Sequence, residues 1–278
     1  MKKFRKRSKY LFIKKKFYKI LIFLLFSSTL VVYAQSLSDL NKEKYYKLEI
    51  NQFDYLVLNS YPQTVIDIKS KKNKSIIKLK THGTMNKYNS RSCNTDNEGS
   101  TYVKNSFSDK EKKYLQSSDL IDYNAENIKF IYNKLQFSTL SEFQSAKAIL
   151  NFLVAVIKYD RKLAEEIGSG LNYGKSASWV LENKKGTCGE YTNLFIALMR
   201  LRGIPCKFVT GLYYSSQQVS FHAWAEFYDN NNGWVAVDPQ AGIIGITSNH
   251  IKLMEGIDLK DTNFHMANCN FKIKQIIK

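Results

Sequence analysis

The chain has 278 residues, 44% of them apolar and 14% aromatic, with three prolines and a formal net charge of +18. That length supports a well-buried core, as one domain with a leader or as two modest domains, and the composition excludes a disordered chain. The charge invites a nucleic-acid reading, but residues 1–19 hold ten Lys/Arg and no acid; without them +18 falls to +8, and no basic helix or aromatic-basic motif stands out in the rest, so no nucleic-acid partner is expected.

The basic start runs into ILIFLLFSSTLVVYA, Ile20 to Ala34, which carries no charge and ends in small residues before Gln35. A basic segment, an apolar segment and a small-residue end describe a secretory signal peptide over 1–34, with cleavage after Ala34. The rival is an uncleaved N-terminal anchor, since the apolar run is nearly long enough to span a bilayer. In either case the remainder is expected to be exported, to a periplasmic, cell-surface or extracellular site, and to meet the membrane only through this segment. No cysteine follows the run, which argues against a lipid anchor.

Residues 35–112 read as a smaller β-rich region of unassigned role. YYKLEI (45–50), YLVLNS (55–60) and SIIKLKTH (75–82) are short apolar or alternating runs broken by Asn, Lys and Pro62. Gly83 to Ser100 is polar and rich in Gly, Ser and Asn, which predicts a loop. The boundary to a second domain, 113–278, falls near Ser108 to Ser118. There YNAENIKFIYNKL (123–135) has helical spacing behind Asn124 as a cap, and Ala146, Ile149, Leu150, Leu153 and Ile157 form one helical stripe.

The chemistry concentrates further on. In KKGTCGEYTNLFIALMRLRGIPCKFVTG (184–211), Leu194, Ala197, Leu198 and Leu201 follow helical spacing, and neighbouring apolar residues make the helix buried on most sides. Gly203–Ile204–Pro205 ends it. Gly186 and Gly189 give the entry turn close backbone approach. Cys188 then heads the helix, where free N–H groups and the helix dipole favour an anion. On position alone, a reactive thiol and an inert buried one are equally supported.

SFHAWAEFYD (220–229) alternates, placing His222, Trp224, Glu226 and Tyr228 on one strand face and Phe221, Ala223, Ala225 and Phe227 on the other. DNNNG (229–233) is a hairpin turn signal, and WVAVDP returns. With Tyr228 opposite Trp234, Asp238 faces Trp224 and becomes the diagonal neighbour of His222. A carboxylate that orients an imidazole, beside a helix-terminal thiol, is the arrangement of thiol acyl transfer. Trp224 and Tyr228 either line the resulting cleft or pack beneath it.

The four cysteines are Cys93, Cys188, Cys206 and Cys269; none forms a CxxC pair, so no zinc site is expected. Cys93 and Cys269 could pair in an oxidising compartment. Cys206 is expected to face the core.

The stretches 184–211, HAWAEFY and GWVAVDPQAG resemble, in order, the three motifs of the bacterial transglutaminase-like superfamily. YLQSSDLIDYNAENI and AILNFLVAVIKYD are similar to its lead-in segments, and SNHIKLMEG to its closing one, so the resemblance runs from about Lys113 to Gly256. It implies an α+β, papain-like fold, with the cysteine at the start of a central helix packed on an antiparallel sheet. It implies Cys188 as nucleophile, His222 as base and Asp238 as the orienting acid, with no metal and no organic cofactor. The Cys188 N–H would serve the oxyanion; a second donor, Trp179 or Tyr173, stays open, with core packing the better reading of both. Tyr159–Asp160 matches a structural element of the family. The expected function is a secreted thiol enzyme acting on peptide or protein amides through a thioester, with hydrolysis slightly favoured over amine transfer. Its partner is then a peptide or protein, or a cell-envelope component. The alternative is a non-catalytic cell-envelope binding or assembly module that keeps the fold.

Overall fold

A computed structural model describes residues 42–50, 59–71, 74–84, 107–136, 140–169, 174–215, 218–262 and 271–276. The leader, YLVLNS up to residue 58, most of the polar 83–100 segment, Tyr173, Cys93 and Cys269 lie outside them.

Four antiparallel strands form the first sheet, in the order β11-β1-β3-β2: β1 (Glu43–Ile50), β2 (Gln63–Lys71), β3 (Lys74–His82) and the C-terminal β11 (Phe271–Ile276). β1 buries Tyr46, Leu48 and Ile50 at every second position, as a half-buried strand must. Ile77 and Leu79 do the same for β3.

The second sheet has the order β10-β6-β7-β8-β9 and is antiparallel throughout: β6 (Cys206–Ser215), β7 (Gln218–Asp229), β8 (Gly233–Asp238), β9 (Ile243–Ile244) and β10 (His250–Gly256). Cys206, Phe208, Leu212 and Tyr214 share one face of β6 by parity. Cys206 and Phe208 pack in the large helical core, whereas Leu212 and Tyr214 pack with Tyr46, Leu48 and Ile77 of the first sheet. One sheet face is thus divided between helices at one end and the first sheet at the other. The Gln63 amide reinforces the second junction. Its Nε2 donates to the Lys252 carbonyl at 3.1 Å and its Oε1 accepts from the Lys252 N–H at 3.1 Å, where β10 slips register. A bulge leaves backbone groups unpaired, and this side chain satisfies them.

The helices are α1 (Asp109–Lys112, continued by a 3-10 turn), α2 (Glu126–Lys134), α3 (Glu142–Val156), α4 (Arg161–Gly168), α5 (Ala177–Asn183) and α6 (Cys188–Leu201). Two residue pairs, Lys158–Tyr159 (β4) and Lys185–Gly186 (β5), make a short parallel bridge between them. α3 has Ser141 as cap, and its predicted stripe is buried throughout. α2 differs from expectation: the cap position is Ala125, not Asn124, and no side chain caps it.

α6 is buried continuously from Glu190 to Arg200 and sits between α3, α5 and the sheet. Among the described residues no carboxylate forms a direct ion pair with Arg200, whose charge is carried into this interior. Its guanidinium donates to the carbonyls of Cys206, Gln116 and Ile257 at 2.6–3.1 Å, and burial lowers its pKa to about 10. One side chain therefore holds the end of α6, the start of β6 and two loops in register. Among the described residues no helix is long and apolar enough to cross a membrane.

Candidate active site

Thr187 occupies the cap position of α6 in extended backbone, and Cys188 is the first helical residue, partly exposed and with a free thiol. The turn is fixed by Glu190, which is 1% exposed. Its Oε2 accepts from the Thr187 N–H at 2.8 Å and hydroxyl at 2.6 Å, and its Oε1 accepts from the Lys175 N–H at 2.9 Å. Asn193 Nδ2 adds a bond to the Lys175 carbonyl at 2.8 Å. Free helix N–H groups favour such a carboxylate at this position. Gly186 is needed for the turn, because a Cβ there would lie 2.3 Å from the Glu190 Cβ. Gly189 is not: a Cβ there would lie 3.9 Å from the Thr187 Oγ1, an ordinary contact, so the close-approach role expected for it falls to Gly186 alone.

The β7–β8 hairpin has the expected register, with Tyr228 opposite Trp234 and Ala225 opposite Val237. Asp229 forms the turn by accepting from the N–H groups of Asn231 and Asn232. Continuing this register puts Asp238 diagonal to His222, and the two side chains meet: His222 Nε2 lies 2.7 Å from Asp238 Oδ2. Nδ1 of the same ring is left for another neighbour, and Cys188 lies near enough to bear on the charge of His222. The structure brings Cys188, His222 and Asp238 together.

Burial opposes charge on His222, but the Asp238 carboxylate, by charge and hydrogen bond, and Cys188 beside it raise the imidazole pKa well above its ordinary value. Burial likewise opposes charge on Asp238; the two imidazoles that reach it outweigh this and hold its carboxyl far below the usual range. Its Oδ1 accepts from the Ala241 N–H at 3.1 Å.

The second imidazole is His250, which sequence reasoning passed over. Its Nε2 is 3.3 Å from Asp238 Oδ2, and its Nδ1 accepts from the Thr247 N–H at 3.2 Å. The Asp238 carboxylate can only accept, which places the proton on Nε2, so His250 donates to Asp238. Burial lowers its pKa and keeps it neutral. His250, like Lys252 beyond it, opens β10 inside the SNHIKLMEG segment, so a histidine in an otherwise apolar strand start was the available signal.

These three side chains are also the cluster, among the described residues, whose donor atoms could surround a metal ion; all lie within 4.8 Å of one another. The 2.7 Å contact between His222 and Asp238 is too short for that role as it stands. Two ligands each about 2.0 Å from a tetrahedral ion sit about 3.3 Å apart. The arrangement is that of a hydrogen-bonded relay.

Residues 129–239, which span Cys188, His222 and Asp238, match the family model of the transglutaminase-like superfamily. That segment is similar to a transglutaminase-like core. A protein-glutamine gamma-glutamyltransferase of Pseudomonas aeruginosa is 28% identical to the chain over 71 residues, 22% of this chain. The match covers only 11% of that relative's length. Among solved structures, a candidate cysteine protease from Cytophaga hutchinsonii aligns over 85% of this chain and 89% of its own, with a TM-score of 0.57 and 15% identity. That likeness concerns the fold, and it covers more of the chain than the segment matched by the family model.

Other residues singled out by sequence serve the core's architecture. Trp224 is 0% exposed and packs with Val209, Ala236 and Ile246, its ring stacked 6.1 Å from that of His222. It supports the histidine from below. Tyr228 packs edge-on against Trp234 and Phe107. Trp179 is half-buried against the helical core, with the Lys175 and Lys185 ammonium groups over its ring at 5.6 and 5.9 Å. Asp160 caps α4 through the Leu163 N–H and pairs with Lys185 at 2.8 Å. Cys206 is fully buried, and burial pushes its thiol pKa up, away from reactivity.

Proposed function

We propose that the chain is an exported thiol enzyme that acts on peptide or protein amides through an acyl-enzyme. The observation that carries this reading is the His222 ring held at Nε2 by Asp238, 2.7 Å away, with its other side at Cys188. Asp238 fixes the tautomer and stabilises the imidazolium; His222 takes the thiol proton. The sulfur attacks the amide carbonyl, and the new C–S bond forms as the carbonyl electrons move to oxygen. Collapse breaks the C–N bond, His222 returns its proton to the leaving amine, and a thioester remains on Cys188. The Cys188 N–H at the head of α6 is placed to meet the oxyanion. Water then releases the acid, or an amine releases a new amide. Hydrolysis is the favoured outcome because water is always at hand, whereas transfer needs an acceptor site.

The test uses dimethylated casein, residues 35–278 of the chain and its Cys188→Ala variant. Peptide cleavage and ammonia release are followed in one arm, and incorporation of a fluorescent primary amine in the other. Loss of product in the variant supports the enzyme reading, and cleavage or ammonia without amine incorporation supports hydrolysis. No activity in either protein favours the envelope-binding module instead, and equal activity in both overturns Cys188 as the nucleophile. Export is tested separately: the secreted protein should begin at Gln35.

A further inference from the structure

The strand that leads into Cys188 is also the wall of a cleft. β5 pairs with β4 so that Lys158 faces Lys185 and Tyr159 faces Gly186, two residues before the thiol. Around this bridge lies a cleft of about 490 Å³ whose lining includes Lys158, Tyr159, Asp160, Arg161, Lys184 and Lys185. A volume of that order is typical of sites that take a ligand segment. Tyr159 is 50% exposed there, and burial of its hydroxyl end, with Cys188 nearby, raises its phenol pKa.

Four cations face a single acid. Asp160 is already engaged, by Lys185 and by the α4 N-terminus. Among the described residues no acid pairs with Lys158, Arg161 or Lys184. Among the described residues the other lysines divide between paired and unpaired, and exposed Lys69 and Lys71 on β2 have no acid partner either. Lys47 and Lys74 pair with Glu49, Lys80 with Glu43, Lys207 and Lys252 with Glu226 and Glu255, and Lys260 with Asp119. What sets Lys158, Arg161 and Lys184 apart is that they line one cleft together, beside the strand that leads to the nucleophile. A cluster of like charges raises the local concentration of an oppositely charged ligand and selects against neutral ones.

We propose that this cleft is a substrate subsite for an acidic peptide segment, with Asp or Glu side chains on Lys158, Arg161 and Lys184, peptide backbone against Tyr159, and the reacting amide at Cys188. The assignment rests on the thiol-enzyme reading in one respect: a group that reacts with amides requires a ligand bearing one, which favours a peptide over other polyanions.

Binding can be read without turnover. The probe is a fluorescein-labelled octapeptide with a central Gln flanked by Asp and Glu, and its isostere with Asn and Gln, titrated by anisotropy against the Cys188→Ala protein at about 0.1 M salt. In parallel, each peptide is tested for slowing iodoacetamide alkylation of Cys188 in the unaltered thiol protein. The triple variant Lys158→Ala/Arg161→Ala/Lys184→Ala changes exposed side chains only, and Lys69→Ala/Lys71→Ala on exposed β2 serves as control. The expected result is acidic peptide bound at least about tenfold more tightly than its isostere, with that preference lost in the triple variant and kept in the control. The acidic peptide should also protect Cys188. Equal binding of the isostere, equal loss in the control, or binding without protection of Cys188 overturns the proposal. Inorganic polyphosphate that protects Cys188 better than the peptide also overturns it, by making the cleft a general polyanion site. Should Cys188→Ala abolish turnover while the peptides show no preference, the enzyme reading stands and this one falls.

Discussion

His250 donates to the same carboxylate oxygen, Asp238 Oδ2, that holds His222: the contacts are 3.3 and 2.7 Å. Asp238 is therefore fixed from two sides, and His250 acts as a positioning residue behind the carboxylate rather than as a group that touches substrate. Replacing it by alanine leaves a buried carboxylate with one donor fewer, a loss of about 1–3 kcal/mol in a charged hydrogen bond. The expected outcome for His250→Ala is a fall in kcat of roughly tenfold or more with KM within about twofold. His250→Gln, which can still donate an N–H, should recover most of kcat. A purely structural role would instead lower the melting temperature in both variants and leave kcat of the folded fraction intact.

The charge balance between His222 and Asp238 has a definite pH signature. His222 has its pKa raised by Asp238, so its stabilising share is fully present below about pH 6.5 and lost as pH rises through the folded value. Asp238 has its pKa depressed, so its share is present above about pH 3.9 and lost as pH falls. The two overlap between about pH 4 and 6.5. The melting temperature of Asp238→Asn should trail that of the parent most in this window and converge on it at either side. The alkaline limb of kcat/KM, set by loss of the His222 proton, should move to lower pH in the same variant. A stability gap independent of pH would contradict the assigned pairing.

What the sequence made legible was local. The 220–238 hairpin could be registered from its turn residues, because a two-residue side-chain period and a short loop leave few alternatives. Cys188 could be placed at a helix start because Gly186 and the Gly203–Ile204–Pro205 stop bracket the apolar run. His250 could not be joined to Asp238 in this way, since the intervening residues have no period that fixes where β10 returns. The same applies to β11, whose pairing with β1 spans most of the chain. Lys207, Glu226 and Lys252 are charged strand residues that are nevertheless buried, because each charge meets an opposite one across the sheet. Such pairing is a property of three strands together and leaves no mark on any one of them.

That buried cluster gives an acid-stability prediction. Burial opposes charge on Glu255, yet Lys252 at 2.7 Å and Lys207 at 3.0 Å bring its pKa down from 4.5 to about 2. The depressed value means stabilisation present above about pH 4.5 and lost progressively towards pH 2, of the order of 3 kcal/mol in total. Glu255→Gln should therefore be less stable than the parent above pH 5, by up to about 3 kcal/mol in denaturant titrations, and the two should converge near pH 2. Parallel curves across that range would mean that the two lysines do not hold Glu255 as described.

Gly186 and Gly189 flank the nucleophile symmetrically in sequence but not in space, and alanine at each should separate their roles. At 186 the new methyl would lie 2.3 Å from the Cβ of Glu190, a residue fixed by three hydrogen bonds and therefore unable to retreat. Overpacking there should cost about 2–3 kcal/mol and shift the first turn of α6, so that Cys188 alkylation slows in the protein that remains folded. At 189 the methyl would lie 3.9 Å from the Thr187 Oγ1 and would sit in a helix, where alanine is favoured over glycine by up to about 1 kcal/mol. Gly189→Ala should thus melt at or above the parent temperature, with Cys188 alkylation unchanged. Equal losses from the two substitutions would show that the turn depends on backbone freedom at both positions, and that the Gly186–Glu190 contact is not what sets the nucleophile in place.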